Sequence, residues 1–298
     1  MTLADTTLFL QDLINALSLG GLYALVALGV ALIFGVMGFI NFAHGELIMV
    51  GGYVLLYVVS QNHAVAILAT VGAVVVAALL MERVAFRPVR NADPTTLLIT
   101  SFAVSYLIQN IAFLTVGSVG KFVAIPAGVS DSVSIGGVDV TKIAIAQFSV
   151  TIVLLVLLWL FMKNTLIGVQ MRAAAEDFGM ARFLGVPGNR VIAYAFGLSG
   201  LLAGVVSVLY IAQTTAVTPT VGLAPALVGF VATVIGGMRS LVGAVIGGFF
   251  LGILSVALDS YLPGNLELYR DAFIYGAVIA LLILRPQGLF GGRGGVRV

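Results

Sequence analysis

The chain has no cysteine and only two histidines, His44 and His63, among its 298 residues. That excludes disulfide frameworks, thiolate metal sites and histidine-rich metal or haem sites. Charge is scarce as well. Asp, Glu, Lys and Arg together make 9% of the chain, where a soluble domain carries roughly 25%. A surface so poor in charge cannot have water as its main solvent. The remainder is 61% apolar with a mean hydropathy of +1.18. The fold class expected is therefore an all-α polytopic membrane protein, forming a single transmembrane domain over 1–298.

Two further motifs are missing. A phosphate-binding loop needs G-x-x-x-x-G-K-[ST]; the one Gly-Lys pair, Gly120–Lys121, has Thr115 in place of the first glycine and Phe122 after the lysine. Nor is there a Ser/His/Asp arrangement or a pair of carboxylates suited to catalysis, so no enzyme is expected. The first residues, up to Leu13, carry no Lys or Arg, so the first apolar stretch is expected to be retained as a helix.

A spanning helix needs about 20 mainly apolar residues. Nine segments qualify as candidates: 13–35, 42–60, 63–83, 95–117, 143–162, 191–213, 223–238, 241–261 and 269–284. The second and seventh are the weakest, and either fits a broken or re-entrant element. The count expected is about eight to nine. If the nine alternate, eleven basic residues fall on one side: Arg83, Arg87, Arg90, Lys163, Arg172, Arg182, Arg190, Arg239, Arg285, Arg293 and Arg297. Only Lys121, Lys142 and Arg270 fall on the other. Lys and Arg accumulate in cytoplasmic loops, so the N-terminus is expected outside and the C-terminus in the cytoplasm. This sorting also accounts for the basic pI of about 9.0 without a nucleic-acid partner. The outer stretch 118–142 is read as an extracytoplasmic loop with a short hairpin. Small-xxx-small pairs at Gly200–Gly204, Gly243–Gly247 and Gly248–Gly252 point to close helix packing. Glycine-rich regions at 20–52 and 229–252, one in each half, hint at an internal repeat.

The cytoplasmic loop 164–190 reads as one amphipathic helix from about Ile167 to Leu184, capped by Asn164 or Thr165 and stopped by Gly185 and Pro187. Met171, Ala174, Phe178 and Ala181 form its apolar stripe, with Arg172, Glu176, Asp177 and Arg182 on the remaining surface. Such a helix lies on headgroups or docks into a groove of another protein; two acids beside two arginines favour the groove.

This loop, RAAAEDFGMARFLGVPGNRVIAYAF, resembles the coupling loop of ABC importer permeases, specifically the high-affinity branched-chain amino-acid (LivH-type) family. So do GLYALVALGVALIFGVMGFINFAHGELIMVGGYV (21–54), FVATVIGGMRSLVGAVIGGFFLGIL (230–254) and LRPQGLFG (284–291). The resemblance implies import of leucine, isoleucine and valine across the bacterial inner membrane. It implies a second permease of the LivM type, two ATPase subunits and an extracytoplasmic binding protein as partners, beside membrane lipid. ATP and Mg would be bound by the ATPases, leaving no cofactor in this chain. It further places ATPase coupling on Arg172, Ala175, Glu176, Asp177 and Gly185. Rival readings are the same class carrying urea, short amides or other amino acids, and a secondary transporter or channel. A membrane-embedded enzyme built on His44 and Glu46 is a third, with a thin catalytic set.

The segment NFAHGE puts Asn41, His44 and Glu46 beside the first span. Polar groups at membrane depth are costly and usually face a cavity or a partner. One reading is a tight turn with a His44–Glu46 contact in headgroup water. The other is a broken helix lining a substrate path through Asn41, His44 and Glu46. Gln109, Asn110 and Gln213 are further polar residues within spans, expected to bond between helices.

Overall fold

Backbone amides in hydrocarbon must satisfy one another, so apolar stretches of this length fold as helices. A computed structural model of the chain describes residues 3–290, apart from 61, 125–127, 129, 130, 136, 137 and 265; side chains are described from Thr7 on, that of residue 135 excepted. The helices in order are α1 (Leu3–Met37), α2 (His44–Val58), α3 (His63–Met81), α4 (Arg87–Val89), α5 (Pro94–Val116), α6 (Lys142–Asn164), α7 (Leu166–Glu176), α8 (Phe178–Phe183), α9 (Gly188–Thr214), α10 (Leu223–Gly236), α11 (Leu241–Tyr261) and α12 (Arg270–Leu284). A π-helical turn, Glu82–Phe86, joins α3 to α4. Side-chain oxygens of Asn62, Thr141, Thr165, Asp177 and Ser240 cap the first turns of α3, α6, α7, α8 and α11.

Six stretches among the described residues are long and apolar enough to cross a membrane: Thr7–Met37, His63–Val89, Pro94–Val116, Lys142–Asn164, Gly188–Thr214 and Leu241–Tyr261. Of the nine expected segments, 42–60 and 223–238 become the short helices α2 and α10, and 269–284 becomes the 15-residue α12.

The centre of the bundle is α1, buried on nearly all sides between Ala16 and Val36 and packed against α6, α7, α9, α10 and α11. An all-round apolar helix belongs in such a place. The three glycine pairs each serve a different contact. Gly200 and Gly204 lie on α3 at Val71–Ala78; Gly243 and Gly247 lie on α10; Gly248 and Gly252 meet Ala24 and Gly20 of α1. The outward faces of α5 and α6 are apolar, with Phe102, Tyr106 and Leu114 on one and Val153, Val156 and Leu157 on the other.

One end carries the hairpin expected in 118–142: β2 (Ser132–Ile135) pairs antiparallel with β3 (Val138–Thr141). Gln11 Nε2 donates to Asp139 O at 2.7 Å, tying the start of α1 to it. Nearby, β1 (Lys121–Phe122) pairs with β4 (Ala216–Val217). Lys121, Lys142 and Arg270 all lie at this end, the last two paired with Asp131 (3.0 Å) and Asp259 (2.6 Å). The opposite end gathers Arg90, Lys163, Arg172 and Arg239, where Arg90 donates to Asn189 Oδ1 and Leu289 N donates to Ile235 O at 2.7 Å. Arg293 and Arg297 lie outside the described residues.

Candidate functional site

At the basic end α1 stops at Gly38, whose φ of +71° needs no Cβ and whose N–H closes on Phe34 O at 2.8 Å. The chain then turns back into the bundle. Phe39 packs on Phe86 with ring centroids 5.2 Å apart, and Phe86 packs on Phe196 at 5.4 Å. Asn41 Oδ1 accepts from Ala43 N at 3.1 Å, organising the turn that opens α2. His44 then lies with Nδ1 3.1 Å from Ser199 Oγ, which itself donates to Gly29 O at 2.9 Å. Gly29 is eight residues before Met37, so α2 begins about 12 Å from the basic end of α1.

Two residues on, Glu46 Oε1 accepts from Ser105 Oγ at 2.8 Å and from Gln109 Nε2 at 2.7 Å. His44 and Glu46 are fully buried and Asn41 nearly so. They reach three different neighbours: Asn41 Met81, His44 α9, Glu46 α5. The turn with a His44–Glu46 contact in headgroup water is therefore not what forms, and the broken-helix geometry is. Of the other polar residues, Gln213 bonds across helices by accepting from Gln147, whose Oε1 accepts a hydrogen bond from the Ser18 hydroxyl at 2.6 Å. Asn110 instead donates to Tyr106 O within its own helix.

A second short helix meets the first from the other side. After α9, Thr215 adopts a left-handed conformation (φ 55°), β4 pairs with β1, and the chain descends to Gly222 and α10. Gly222 and Gly45 are in backbone contact, with no room for a Cβ on either. α2 has 15 residues and α10 has 14, about 22 and 21 Å of helix, so neither crosses roughly 30 Å alone. Each is a half-helix opened by buried backbone, Ala43 before α2 and Gly222 before α10, as irregular backbone in a membrane protein must be. Helix N-termini carry partial positive charge, and two converge here. Beside the junction, Phe42 stacks on Phe102 of α5 at 4.4 Å and tilts against Phe230 of α10 at 5.7 Å. This aromatic set links the turn to both neighbouring helices, next to the exposed Leu223 and Leu227. Sequence reasoning missed Phe42, Phe102 and Phe230, since three phenylalanines far apart in the chain carry no local pattern.

The segment 164–190 is two helices rather than one. Asp177 leaves the helical region (φ −149°, ψ 102°) and its Oδ1 accepts from Met180 N at 2.8 Å, ending α7 and capping α8. A short acid side chain competing for backbone N–H groups breaks a helix in this way. Asp177 thus caps α8 at the break between two helices, rather than lying within a single helix, and its side chain is exposed. The expected cap is Thr165, accepting from Gly168 N at 3.0 Å. The expected stop is Gly185, at φ +88°.

The stripe of Met171, Ala174 and Ala181 is buried against the chain's own core, with Phe178 beside it, so it does not await another protein's groove. Ala175 faces Gly35 at the side of α1. Left outward are Arg172, Glu176 and Arg182, with three large apolar residues that the periodicity did not flag: Met180, Phe183 (90% exposed) and Leu184 (80% exposed). Behind them a polar cavity of about 410 Å³ opens between Gly38, Arg90, Glu176, Asp177 and Arg239. Among the described residues no three His, Cys, Asp or Glu side chains converge to hold a metal ion.

The sequence profile of the family described as "Branched-chain amino acid transport system / permease component" matches residues 13–283. The permease LivH of the high-affinity branched-chain amino acid transport system of Escherichia coli K12 is 34% identical, over 95% of this chain and 96% of its own. BraD, the corresponding permease of Pseudomonas aeruginosa, is 33% identical over the same shares. No solved structure matches the chain. With six apolar helices and relatives of this kind, the chain belongs to the permease component family of branched-chain amino acid transport systems.

Proposed function

We propose that this chain is the transmembrane permease subunit of an ATP-binding-cassette importer that carries leucine, isoleucine and valine across the bacterial inner membrane. It works with a second permease of the LivM type, two ATPase subunits and an extracytoplasmic binding protein. ATP and Mg sit on the ATPases, and this chain performs no catalysis. The N-terminus and the hairpin lie outside, the C-terminus in the cytoplasm. Nine crossings result if α2 and α10 are each completed by the extended backbone before them and α12 crosses as well.

The observation that carries this reading is the pair α7–α8. It is fixed on its inner side by Met171, Ala174 and Ala181, and it offers Met180, Phe183 and Leu184 to the outside at the basic end of the bundle. Apolar side chains that large, beside Arg172, Glu176 and Arg182, suit a protein groove better than headgroups. Closure of the ATPases pushes α7–α8, which bears on α1 and α9. Movement of α1 and α9 is felt where His44, Ser199 and Gly29 join α2 to both. The half-helix junction with Asn41, His44 and Glu46 is then the element whose rearrangement opens a path. The aromatic set of Phe42, Phe102 and Phe230 gives that path an apolar wall suited to branched aliphatic side chains.

The test is uptake of radiolabelled leucine into proteoliposomes. Uptake is expected only with both permeases, the ATPases, the loaded binding protein and ATP. Uptake by this chain alone under an ion gradient overturns the reading.

A further inference from the structure

α6 touches α1 closely at Gly21, where Thr151 fills the space a Cβ would need, and then diverges from it toward the basic end. α11 approaches α1 at Gly20 and Ala24 and leaves a matching gap on its own side. The two openings merge into one wedge-shaped groove with α1 as its floor and a volume of about 1280 Å³. Its walls are apolar: Leu28 and Leu32 from α1, Leu155 and Trp159 from α6, Val245 and Ile246 from α11. Its mouth is different. Lys163, Arg172 and Arg239 stand around it with the one carboxylate of Glu176. None of the three cations forms an ion pair among the described residues; Lys163 Nζ lies 4.8 Å over the Trp159 ring.

We infer that this groove is a binding site for an anionic membrane phospholipid, with its acyl chains along α1 and its phosphodiester among Lys163, Arg172 and Arg239. Three features of the groove select that occupant. Leu155 lies eight residues above Lys163 on α6, so the apolar walls climb about 12 Å from the charged mouth into hydrocarbon. A soluble partner does not reach that depth. The volume exceeds that of the usual pocket for a drug-sized ligand, roughly 300–1,000 Å³, and is far more than a single amino acid needs. Basic groups at the mouth of an apolar cleft between membrane helices match a phosphate headgroup in charge and in depth. The site requires only that this end of the bundle lie at a headgroup layer; it needs no substrate, and it borders the proposed coupling surface at Arg172 and Glu176. A lipid held there lies against Met171, Arg172 and Ala175 of α7, and it would fix the angle of that helix to α1.

Trp159 is the single tryptophan of the chain and lines the groove, so its fluorescence reports lipid in contact with the groove wall. The purified full chain is reconstituted in bilayers containing a minority of acyl-brominated phosphatidylglycerol, or the same minority of brominated phosphatidylcholine. The brominated phosphatidylglycerol is expected to quench with about fivefold higher apparent affinity per engaged cation, the equivalent of one basic group at a charged surface. Lys163→Gln with Arg239→Gln should cut that preference by about 25-fold, leaving the share that Arg172 supplies. Arg182→Gln, which removes a charge at the same end but outside the groove, should keep it. Equal quenching by the two lipids in the unsubstituted chain overturns the site. So does a preference that the double substitution leaves undiminished, or one that Arg182→Gln lowers as much, since the effect is then general surface charge.

Discussion

Gly45 and Gly222 lie backbone to backbone, so close that a Cβ on either collides with the carbonyl oxygen of the other. They are 177 residues apart in the chain, and this contact joins the N-termini of two half-helices inside the bundle. Neither helix can be displaced there without moving the other.

Gly45→Ala and Gly222→Ala are therefore expected to destabilise the chain by about 1–3 kcal/mol, the usual cost of forcing extra atoms into a packed site. Each should lower the thermal midpoint of the purified complex and reduce uptake. Gly72→Ala, where the added Cβ meets open space, is the control and should change neither. Normal melting and transport in Gly222→Ala would mean that the junction is loosely held.

Much of this was legible from the residues. Scarce charge gave the membrane class, and the sorted arginines gave the two ends of the bundle. Glycine and NFAHGE marked where the first helix breaks. The half-length of α10 was readable only as a short apolar run beginning beside Pro225. Asp177 and Gly185 illustrate the remaining limit. Positive φ at a glycine after a helix is a local rule and was visible. The break at Asp177 sits inside a continuous helical pattern, and only the competition of its carboxylate for Met180 N reveals it. The Phe42–Phe102–Phe230 set and the groove beside α6 are tertiary products that no local spacing encodes.

Glu46 offers a separation of roles. Glu46→Gln keeps the size of the side chain and an oxygen to accept from Ser105 and Gln109, while Glu46→Ala takes the acceptor from the Ser105 hydroxyl and leaves Gln109 Nε2 only Ser105 Oγ, at 3.3 Å. An unsatisfied buried donor costs about 1–3 kcal/mol, so the alanine variant should lose stability. The glutamine variant should fold normally and transport poorly if the charge serves the path. Normal uptake by Glu46→Gln would reduce the residue to a helix-joining role.

His44 and Ser199 should be energetically coupled. A double-mutant cycle with His44→Ala and Ser199→Ala is expected to give an interaction of about 1 kcal/mol in unfolding of the detergent-solubilised chain. Strict additivity would contradict the contact of 3.1 Å between Nδ1 and Oγ.

The proposed orientation is open to labelling. Cysteines placed at Ser132 in the hairpin and at Asn189 beside Arg90 sit on exposed positions at opposite ends of the bundle. In intact cells an impermeant maleimide should modify Ser132→Cys and spare Asn189→Cys until the membrane is opened. Modification of both in intact cells would refute the topology.

Gly185→Val forces a β-branched residue into φ +88°, at a cost of about 1–2 kcal/mol of local strain, although the added side chain has open space around it. Asp177→Ala removes the α8 cap at a cost of about 1 kcal/mol. Both should leave insertion and pairing intact while lowering ATPase stimulation, because they change the angle of α8 and not a span. Wild-type stimulation in both would free α8 from any need for a fixed geometry.

The proposed route of ATP energy into this permease is the outward face of α8. Phe183→Asp with Leu184→Asp charges that face without touching the buried stripe. In proteoliposomes holding the assembled complex, ATP hydrolysis stimulated by the loaded binding protein is to be measured alongside leucine uptake. Both are expected to fall by about tenfold or more, since loss of only 1.4 kcal/mol of docking energy is a factor of ten. Stimulated hydrolysis and uptake at the unsubstituted rate would contradict the account.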